Sequence, residues 1–290
     1  MISEGPKLKG FPRVPRRIAE KTAWVSQALI MKRKMLLATD IGNTNITLGL
    51  FEGADLRATW RIASDRERLA DEYGMVILDF LRSEGLDRSD ITRAVFATGV
   101  PMLGPVFEGM CQRYFGVTPL RVGAGVKTGL RVLYEDPREV GPDRIVDAVA
   151  ALRLHKPPLI VVDLGTATVF DAISRDGDYL GGAIAPGIGV ATDALVQRAA
   201  MLRRVDLRAP RRAVGTNTAA AMQSGIIFGF VSLVEGMVAR IKAEIGEDAW
   251  VIGTGGWAHM IARETRALDR VDEDLTLTGL RLVYEMNEVS

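Results

Sequence analysis

The chain has 290 residues, of which 48% are hydrophobic and 25% charged, a composition typical of a globular protein with two domains or two halves. One cysteine and two histidines exclude an internal disulfide and a multi-cysteine metal cluster, and they argue against a histidine-rich zinc site. The net charge is +1, but nine of the 37 basic residues lie in residues 1–34, so the rest is mildly acidic. Such a chain offers no broad basic surface for nucleic acid.

Residues 1–34 are expected to form a basic N-terminal extension. They lack the continuous apolar core of a secretory signal, and their basic composition leaves a transit peptide open. The simpler interpretation is a start codon assigned too early, because Met31 and Met35 both come just before the first convincing strand. No apolar run reaches the ~18–20 residues that a membrane span needs. We therefore expect a cytoplasmic protein without a membrane partner.

From Met35 onward the sequence predicts alternating strands and helices. Two strand-like runs flank a Gly-Asn turn, which is typical of a β-hairpin. Helical spacing of apolar residues then alternates with short β-rich runs. The predicted elements are strands at 35–39, 46–51, 59–62, 93–98 and 120–122, and helices over 69–84, 106–115 and 140–154.

The opening pattern then recurs. The stretches T-D-I-G-N-T-N around Asp40 and V-D-L-G-T-A-T around Asp163 share one template, a strand ending in Asp followed by a Gly-containing polar turn. The aspartates are 123 positions apart, a spacing too long for a solenoid repeat, so we predict two duplicated α/β halves, residues 35–155 and 156–290. The second half is predicted to contain strands at 159–162, 169–174 and 250–252 and helices over 192–201 and 216–245.

The repeated turns favour an anion site. A tight Gly-containing turn lets backbone N–H groups approach a phosphate, and an aspartate at a strand end can hold a hydrated Mg²⁺. The turn after Asp40 alone would be an ordinary Asx-Gly turn. Its repeat at Asp163, Gly165 and Thr166, together with a Gly-rich turn at 253–256, favours a nucleotide site. The Walker motif and the Rossmann motif after a strand are both absent from the sequence.

A third region, Y-E-D-P-R-E-V-G-P-D-R at 134–144, places a carboxylate beside a guanidinium at the start of a predicted helix. Asp143 could accept the proton of a substrate hydroxyl or orient that hydroxyl. It could equally be only a helix cap. Arg144 could pair with a substrate carboxylate.

These motifs resemble known families. The three turns resemble the phosphate-1, phosphate-2 and adenosine motifs of the actin/sugar-kinase/Hsp70 superfamily. In more detail, the chain resembles type III pantothenate kinases through several motifs in the same order, from about Met35 to Tyr284. The motifs are TDIGNTN at 39–45, KTG at 127–129, YEDPREVGPDR at 134–144, VDLGTATVF at 162–170, YLGGAIAPG at 179–187, GTNT at 215–218 and TGG at 254–256.

The resemblance implies an α/β protein of two ribonuclease-H-like halves, the actin-like ATPase fold, with ATP in the cleft between them. It implies a homodimer that phosphorylates the 4′-hydroxyl of pantothenate, the first step of coenzyme A biosynthesis, with Mg²⁺ and a monovalent cation, K⁺ or NH₄⁺. Asp143 would be the general base, Asp163 would bind the monovalent cation, and Asp40 would hold Mg²⁺ through water. ATP would be bound by Asp40, Ile41, Gly42, Asn43, Thr44, Asn45, Ile46, Thr47 and Thr166, and pantothenate by Tyr134, Gly141, Pro142, Asp143, Arg144 and Thr218.

Some positions depart from the family pattern. Pro142 stands where the family has alanine, which removes a backbone N–H, and Asp136 stands where it has asparagine, which adds a charge near the acceptor site. If Pro142 is the first helical residue, it is well tolerated. Thr218 has a second interpretation as the cap of the long helix. Two rival functions stay open, a non-catalytic nucleotide-binding regulatory protein of the same fold and a phosphohydrolase that cleaves nucleotide or polyphosphate.

Overall fold

A computed structural model describes residues 33–288. The predicted N-terminal extension therefore lies almost wholly outside the described residues. Two five-stranded mixed sheets form the body, with the strand orders β3-β2-β1-β4-β5 and β10-β9-β6-β7-β8. The strands are β1 (Met35–Ile41), β2 (Asn45–Glu52), β3 (Asp55–Ala63), β4 (Ile91–Thr98), β5 (Leu120–Arg121), β6 (Leu159–Leu164), β7 (Ala167–Ile173), β8 (Tyr179–Pro186), β9 (Trp250–Thr254) and β10 (Arg270–Val271).

The two sheets have the same topology, so the predicted duplication is confirmed. In each, three antiparallel strands come first, and the first of them also pairs in parallel with the fourth strand. Helices connect the parallel strands, as parallel pairing requires. The helices are α1 (Ala70–Ser83), α2 (Leu103–Met110), α3 (Pro142–Leu154), α4 (Ile188–Arg198), α5 (Thr218–Ile245), α6 (Ala258–Ala262) and α7 (Leu275–Asn287).

Both faces of each sheet are covered by helices. On β1 the side chains of Met35 and Leu37 pack with α1 and α2, whereas Leu36 and Ala38 point to the other face and pack with α3 and α7. α3 also covers one face of the second sheet, and α4, α5 and α6 cover its other face. This burial on both sides explains why the central strands are continuous apolar runs.

Helices α3 and α7 pack closely together between the two sheets. A methyl group on Gly279 of α7 would overlap the carbonyl oxygen of Val146 on α3. The KTG loop is fastened to the end of α7, because Asn287 accepts a hydrogen bond from the Lys127 backbone N–H at 3.0 Å and donates one to its carbonyl at 2.7 Å. α3 packs in the hydrophobic clusters of both sheets, so both halves fix its position.

Among the described residues, α5 is long and apolar enough to cross a membrane by length and composition alone. Its fully buried residues Ile227 and Val234 pack in the core under the second sheet. We interpret α5 as a core helix of the second half.

Sequence analysis missed two substantial elements. β8 reads Y-L-G-G-A-I-A-P, and its glycines and alanines hide the alternation of a strand. α7 begins L-T-L-T-G, which imitates strand alternation. The helix predicted over 192–201 starts four residues earlier, at Ile188, because the flanking glycines obscured its first turn.

Candidate active site

The turn between β1 and β2 is the first of the two predicted phosphate turns. Asp40 lies next to the end of β1, and the Gly42 N–H donates to the Asn45 carbonyl at 3.0 Å, which closes a tight turn. Asn43, Thr44 and Asn45 are exposed at its tip, whereas Ile41 and Ile46 are buried below it. The predicted phosphate loop, Asp40 to Thr47, is therefore one hairpin whose polar side chains line its open end.

The turn between β6 and β7 repeats this arrangement in the second half. The Gly165 N–H donates to the Ala167 carbonyl at 3.0 Å. The hydroxyl oxygen of Thr166 lies 2.9 Å from the hydroxyl oxygen of Thr44, although the residues are 122 positions apart. The two predicted phosphate turns thus face each other and are joined by a hydrogen bond.

The Gly-rich turn after β9 packs against the second phosphate turn. Gly255 has a φ of +86°, and a Cβ there would collide with the carboxylate of Asp163. The Trp257 N–H donates to the Leu164 carbonyl at 3.2 Å. Only glycine fits this conformation and this approach, so all three small-residue motifs meet at one site.

Asp143 enters the site from the start of α3. Gly141 is the N-cap and Pro142 is the first helical residue, the position where proline is well tolerated. Asp143 follows in the first turn, where the helix N-terminus stabilises negative charge. Its carboxylate accepts a hydrogen bond from the Arg144 backbone N–H at 3.0 Å.

The aspartates of three elements converge electrostatically. Burial, then the charges of Asp143 and Asp163, raises the pKa of Asp40 to about 8, and Arg61 opposes the shift. Burial, then Asp143 and Asp171, raises the pKa of Asp163 to about 7. These carboxylates destabilise one another at neutral pH, and a bound cation would relieve that repulsion.

Sequence analysis missed a fourth carboxylate in this cluster. Asp147 is 4% exposed and lies one turn after Asp143, so the i, i+4 spacing on α3 was the available signal. Burial and the charge of Asp163 raise its pKa well above the usual value. Its Oδ1 has no hydrogen-bond partner among the described residues.

Arg144 is held by a second missed residue, Asp171 on β7. The guanidinium donates to Oδ1 of Asp171 from Nε at 2.9 Å and from Nη2 at 2.7 Å, and the Tyr179 hydroxyl donates to the same oxygen at 2.6 Å. Tyr134 also favours the charged form of Arg144 and so raises its pKa, and the Tyr134 ring lies against Gly181. Asp171 had no sequence signal beyond its position inside an apolar strand.

Two further positions singled out from the sequence are Thr218, a predicted ligand, and Asp136, a departure from the family pattern. Thr218 is exposed and is the first residue of α5, and the cap is Asn217, whose side chain accepts from the Ala220 N–H at 2.9 Å. Among the described residues, no side-chain hydrogen bond or ion pair joins Thr218 to the Asp143 cluster. Asp136 accepts two hydrogen bonds from the Arg138 guanidinium, at 2.9 and 2.8 Å, which offset the added charge and lower the pKa of Asp136.

The donor set fits a hard cation bound in part by other ligands. Carboxylate oxygens suit Mg²⁺, which usually takes one or two carboxylates and completes its shell with waters and substrate phosphates. No three His, Cys, Asp or Glu side chains in residues 33–288 are grouped closely enough to hold a metal ion by themselves. The unpartnered Oδ1 of Asp147 and the raised pKa values of Asp40 and Asp163 are consistent with such a shared site.

Comparison with solved structures defines the fold class. A structure from Campylobacter jejuni, described as a conserved putative Baf family transcriptional activator, superposes with a TM-score of 0.57 and 18% identity, covering 87% of this chain and 98% of that chain. A putative 2-dehydro-3-deoxygalactonokinase from Sinorhizobium meliloti gives a TM-score of 0.53 with 13% identity, covering 87% and 96%. The chain has the actin-like ATPase and sugar-kinase fold.

Sequence comparison gives the family. A family model described as type III pantothenate kinase matches residues 36–240. Relatives named type III pantothenate kinase are 54% identical in Moorella thermoacetica, covering 87% of this chain and 100% of the relative, and 50% identical in Brevibacillus brevis, covering 88% and 100%. The chain belongs to the type III pantothenate kinase family.

Proposed function

We propose that this protein transfers the γ-phosphoryl group of ATP to the 4′-hydroxyl of pantothenate, the first step of coenzyme A biosynthesis, in the cytoplasm. The observation that carries the proposal is the pair of phosphate turns, with Thr44 and Thr166 in hydrogen-bonding contact, beside the helix start that bears Asp143. Phosphoryl transfer needs mainly alignment and charge neutralisation, which facing turns of this kind can supply.

Asp143 is the proposed general base. It lies in the first turn of α3, where the helix N-terminus favours negative charge, and its carboxylate would accept the proton of the attacking hydroxyl. Tyr134, the segment 141–144 and Thr218 would hold pantothenate, with Arg144 directed at its carboxylate. Pro142 is compatible with this role, because the first helical residue needs no N–H for the helix.

Asp40 to Thr47 and Thr166 would bind the ATP phosphates through backbone N–H groups and hydroxyls. Asp40 would hold Mg²⁺ through water, and Asp163 would bind a monovalent cation, K⁺ or NH₄⁺, against the Gly255 turn. When bound, these cations neutralise charge on the phosphates. Ionised Asp40 and Asp163 are the forms that bind them.

We also propose a homodimer. Ile184 on the edge strand β8 is 65% exposed, and exposed apolar side chains at an edge strand favour association with a second copy. Light scattering coupled to size exclusion is expected to give twice the mass of the chain. A monomer at micromolar concentration would contradict the proposal.

The activity test measures ATP consumption with and without pantothenate, in potassium and in sodium buffers. The wild type is expected to consume ATP only with pantothenate and to prefer potassium. Asp143→Asn is expected to lower turnover by roughly 10²–10⁴-fold, as for other general bases. Asp136→Asn is the matched control, because that carboxylate is in the same segment but is paired with Arg138.

The rival functions predict different results. ATP consumption that does not depend on pantothenate would indicate a phosphohydrolase. ATP binding without any turnover would indicate the non-catalytic regulatory protein. The regulatory alternative is not favoured, because the 54% and 50% identical relatives are named kinases.

A further inference from the structure

Arg61 lies near residues of both halves: it pairs with Thr47 of the first phosphate turn in the sheet, and its guanidinium lies near Gly256 of the second half. It belongs to β3 of the first sheet and is exposed. Its charge acts on Asp40, behind the first phosphate turn, and on Asp274, the N-cap of α7. A Cβ placed on Gly256, in the Gly-rich turn of the second half, would lie 3.5 Å from Nη1 of Arg61. One guanidinium thus lies beside the first phosphate turn and the Gly-rich turn.

Neighbouring arginines already have partners. Arg57, on the same face of β3, pairs with Glu52 at 3.7 Å, and Arg66 donates to Oδ1 of Asn43 at 3.2 Å. In the described part of the chain, no hydrogen bond or close ion pair engages Arg61. Its donors remain available to a ligand in the cleft.

We propose that Arg61 binds the phosphates of the nucleotide and joins the two halves around it. A guanidinium presents several N–H donors in a planar fork that matches phosphate oxygens, and it stays charged at any working pH. One phosphate group of the nucleotide would then contact both the Arg61 guanidinium and the backbone N–H groups of the first phosphate turn. The residue is a nucleotide ligand that none of the sequence motifs includes, and its assignment rests on the proposed ATP site.

The alternative is a purely structural role, in which the charge of Arg61 balances Asp40 and Asp274 and so keeps the turns in shape. The two roles predict different ligand dependence. If Arg61 contacts the phosphates, its loss weakens the binding of ATP but not of adenosine, because adenosine carries no phosphate. A residue that only keeps the turns in shape affects both ligands equally.

The test measures binding of a non-hydrolysable ATP analogue and of adenosine by calorimetry without pantothenate, followed by steady-state kinetics. Arg61→Gln is expected to weaken binding of the analogue by roughly ten- to a hundred-fold, the value of a charge-assisted hydrogen bond. Adenosine affinity and the KM for pantothenate are expected to stay within about twofold. Arg61→Lys should recover part of the loss, and Arg57→Gln is the control expected to match the wild type.

Wild-type affinity for the analogue in Arg61→Gln would overturn the inference, and so would an equal loss for adenosine. The outcome is separable from that of the proposed function. A wild type that binds the analogue but never phosphorylates pantothenate, with binding lost in Arg61→Gln, would sustain the inference and reject the kinase. If the protein is an active pantothenate kinase and Arg61→Gln leaves its nucleotide affinity unchanged, the proposed function stands and the inference about Arg61 is rejected.

Discussion

Replacing Asp171 by asparagine removes the charge that holds Arg144 in place. The side chains of Arg144 and Asp171 are 11% and 2% exposed, so the variant leaves a buried guanidinium without its counter-charge. Removing one partner of a buried pair typically costs ~3–5 kcal/mol. Asparagine keeps one acceptor oxygen, and we therefore expect a loss of about 3 kcal/mol in the free energy of unfolding. At ~2–4 °C per kcal/mol for a chain of this size, Tm is expected to fall by about 6–12 °C.

The same variant tests the orientation of Arg144. We expect the KM for pantothenate to rise roughly ten-fold or more, because the guanidinium is no longer fixed toward a substrate carboxylate. ATP affinity should change less than the KM for pantothenate, since Asp171 contacts Arg144 directly and acts on Asp163 only through its charge. Tyr179→Phe is the graded control, because it removes only the 2.6 Å hydrogen bond to Asp171 and should cost ~1 kcal/mol.

The assays are thermal and chemical unfolding together with steady-state kinetics in both substrates. An Asp171→Asn variant with wild-type Tm would refute the account of the buried pair. A variant that loses stability but keeps its KM for pantothenate would refute the positioning of Arg144 for substrate.

Two further predictions concern the carboxylate cluster and the turn that packs on it. Burial and neighbouring carboxylates raise the pKa of Asp40 from 3.8 to about 8 and that of Asp163 from 3.8 to about 7. Between about pH 4 and pH 8 the folded protein therefore binds protons that the unfolded chain has released, so the nucleotide-free protein should lose stability as the pH rises over this range. Tm should therefore be lower at pH 9 than at pH 6, and the difference should be smaller in Asp40→Asn. A Tm that rises over this range would contradict the raised pKa values of the two carboxylates. Gly255→Ala should cost at least ~1–2 kcal/mol in backbone strain and also weaken ATP binding, because its methyl group collides with Asp163. Gly53→Ala, at a φ of +61° with open space around it, should show the loss of stability from backbone strain alone. Equal ATP affinity in the two variants would show that the contact with Asp163 does not affect ATP binding.

Much of the fold was accessible from the sequence because it is built twice. The two aspartate-led hairpins share one template, and the structure confirms both hairpins, the central strands, and the helices α1, α3 and α5. The missed elements were those whose composition conflicts with their structure, such as the Thr-alternating start of α7. Packing against α3 outweighs that weak local preference. The exact division into halves at residues 155 and 156 stays a prediction.

The site was only partly accessible. Residues that form turns carry a local signature, so the two phosphate turns and the segment 134–144 could be located in advance. Asp171 and Asp147 are single carboxylates within apolar surroundings, and their importance depends on which strand or helix packs opposite them. Arg61 likewise acquires a neighbour across the cleft only when the second half is folded against the first. The roles of the predicted ligands stay predictions until the variants are measured.

The return of α7 to the first sheet has a consequence for biosynthesis. Leu277, Leu280 and Val283 pack on the face of the first sheet formed by Leu36 and Val95, although they belong to the last helix of the described residues. The first half therefore cannot finish its core while the ribosome still holds the C-terminal segment, even though its strands emerge first. Until α7 emerges, only α3 can cover that face, and a truncation that removes α7 would destabilise the half that is synthesised first.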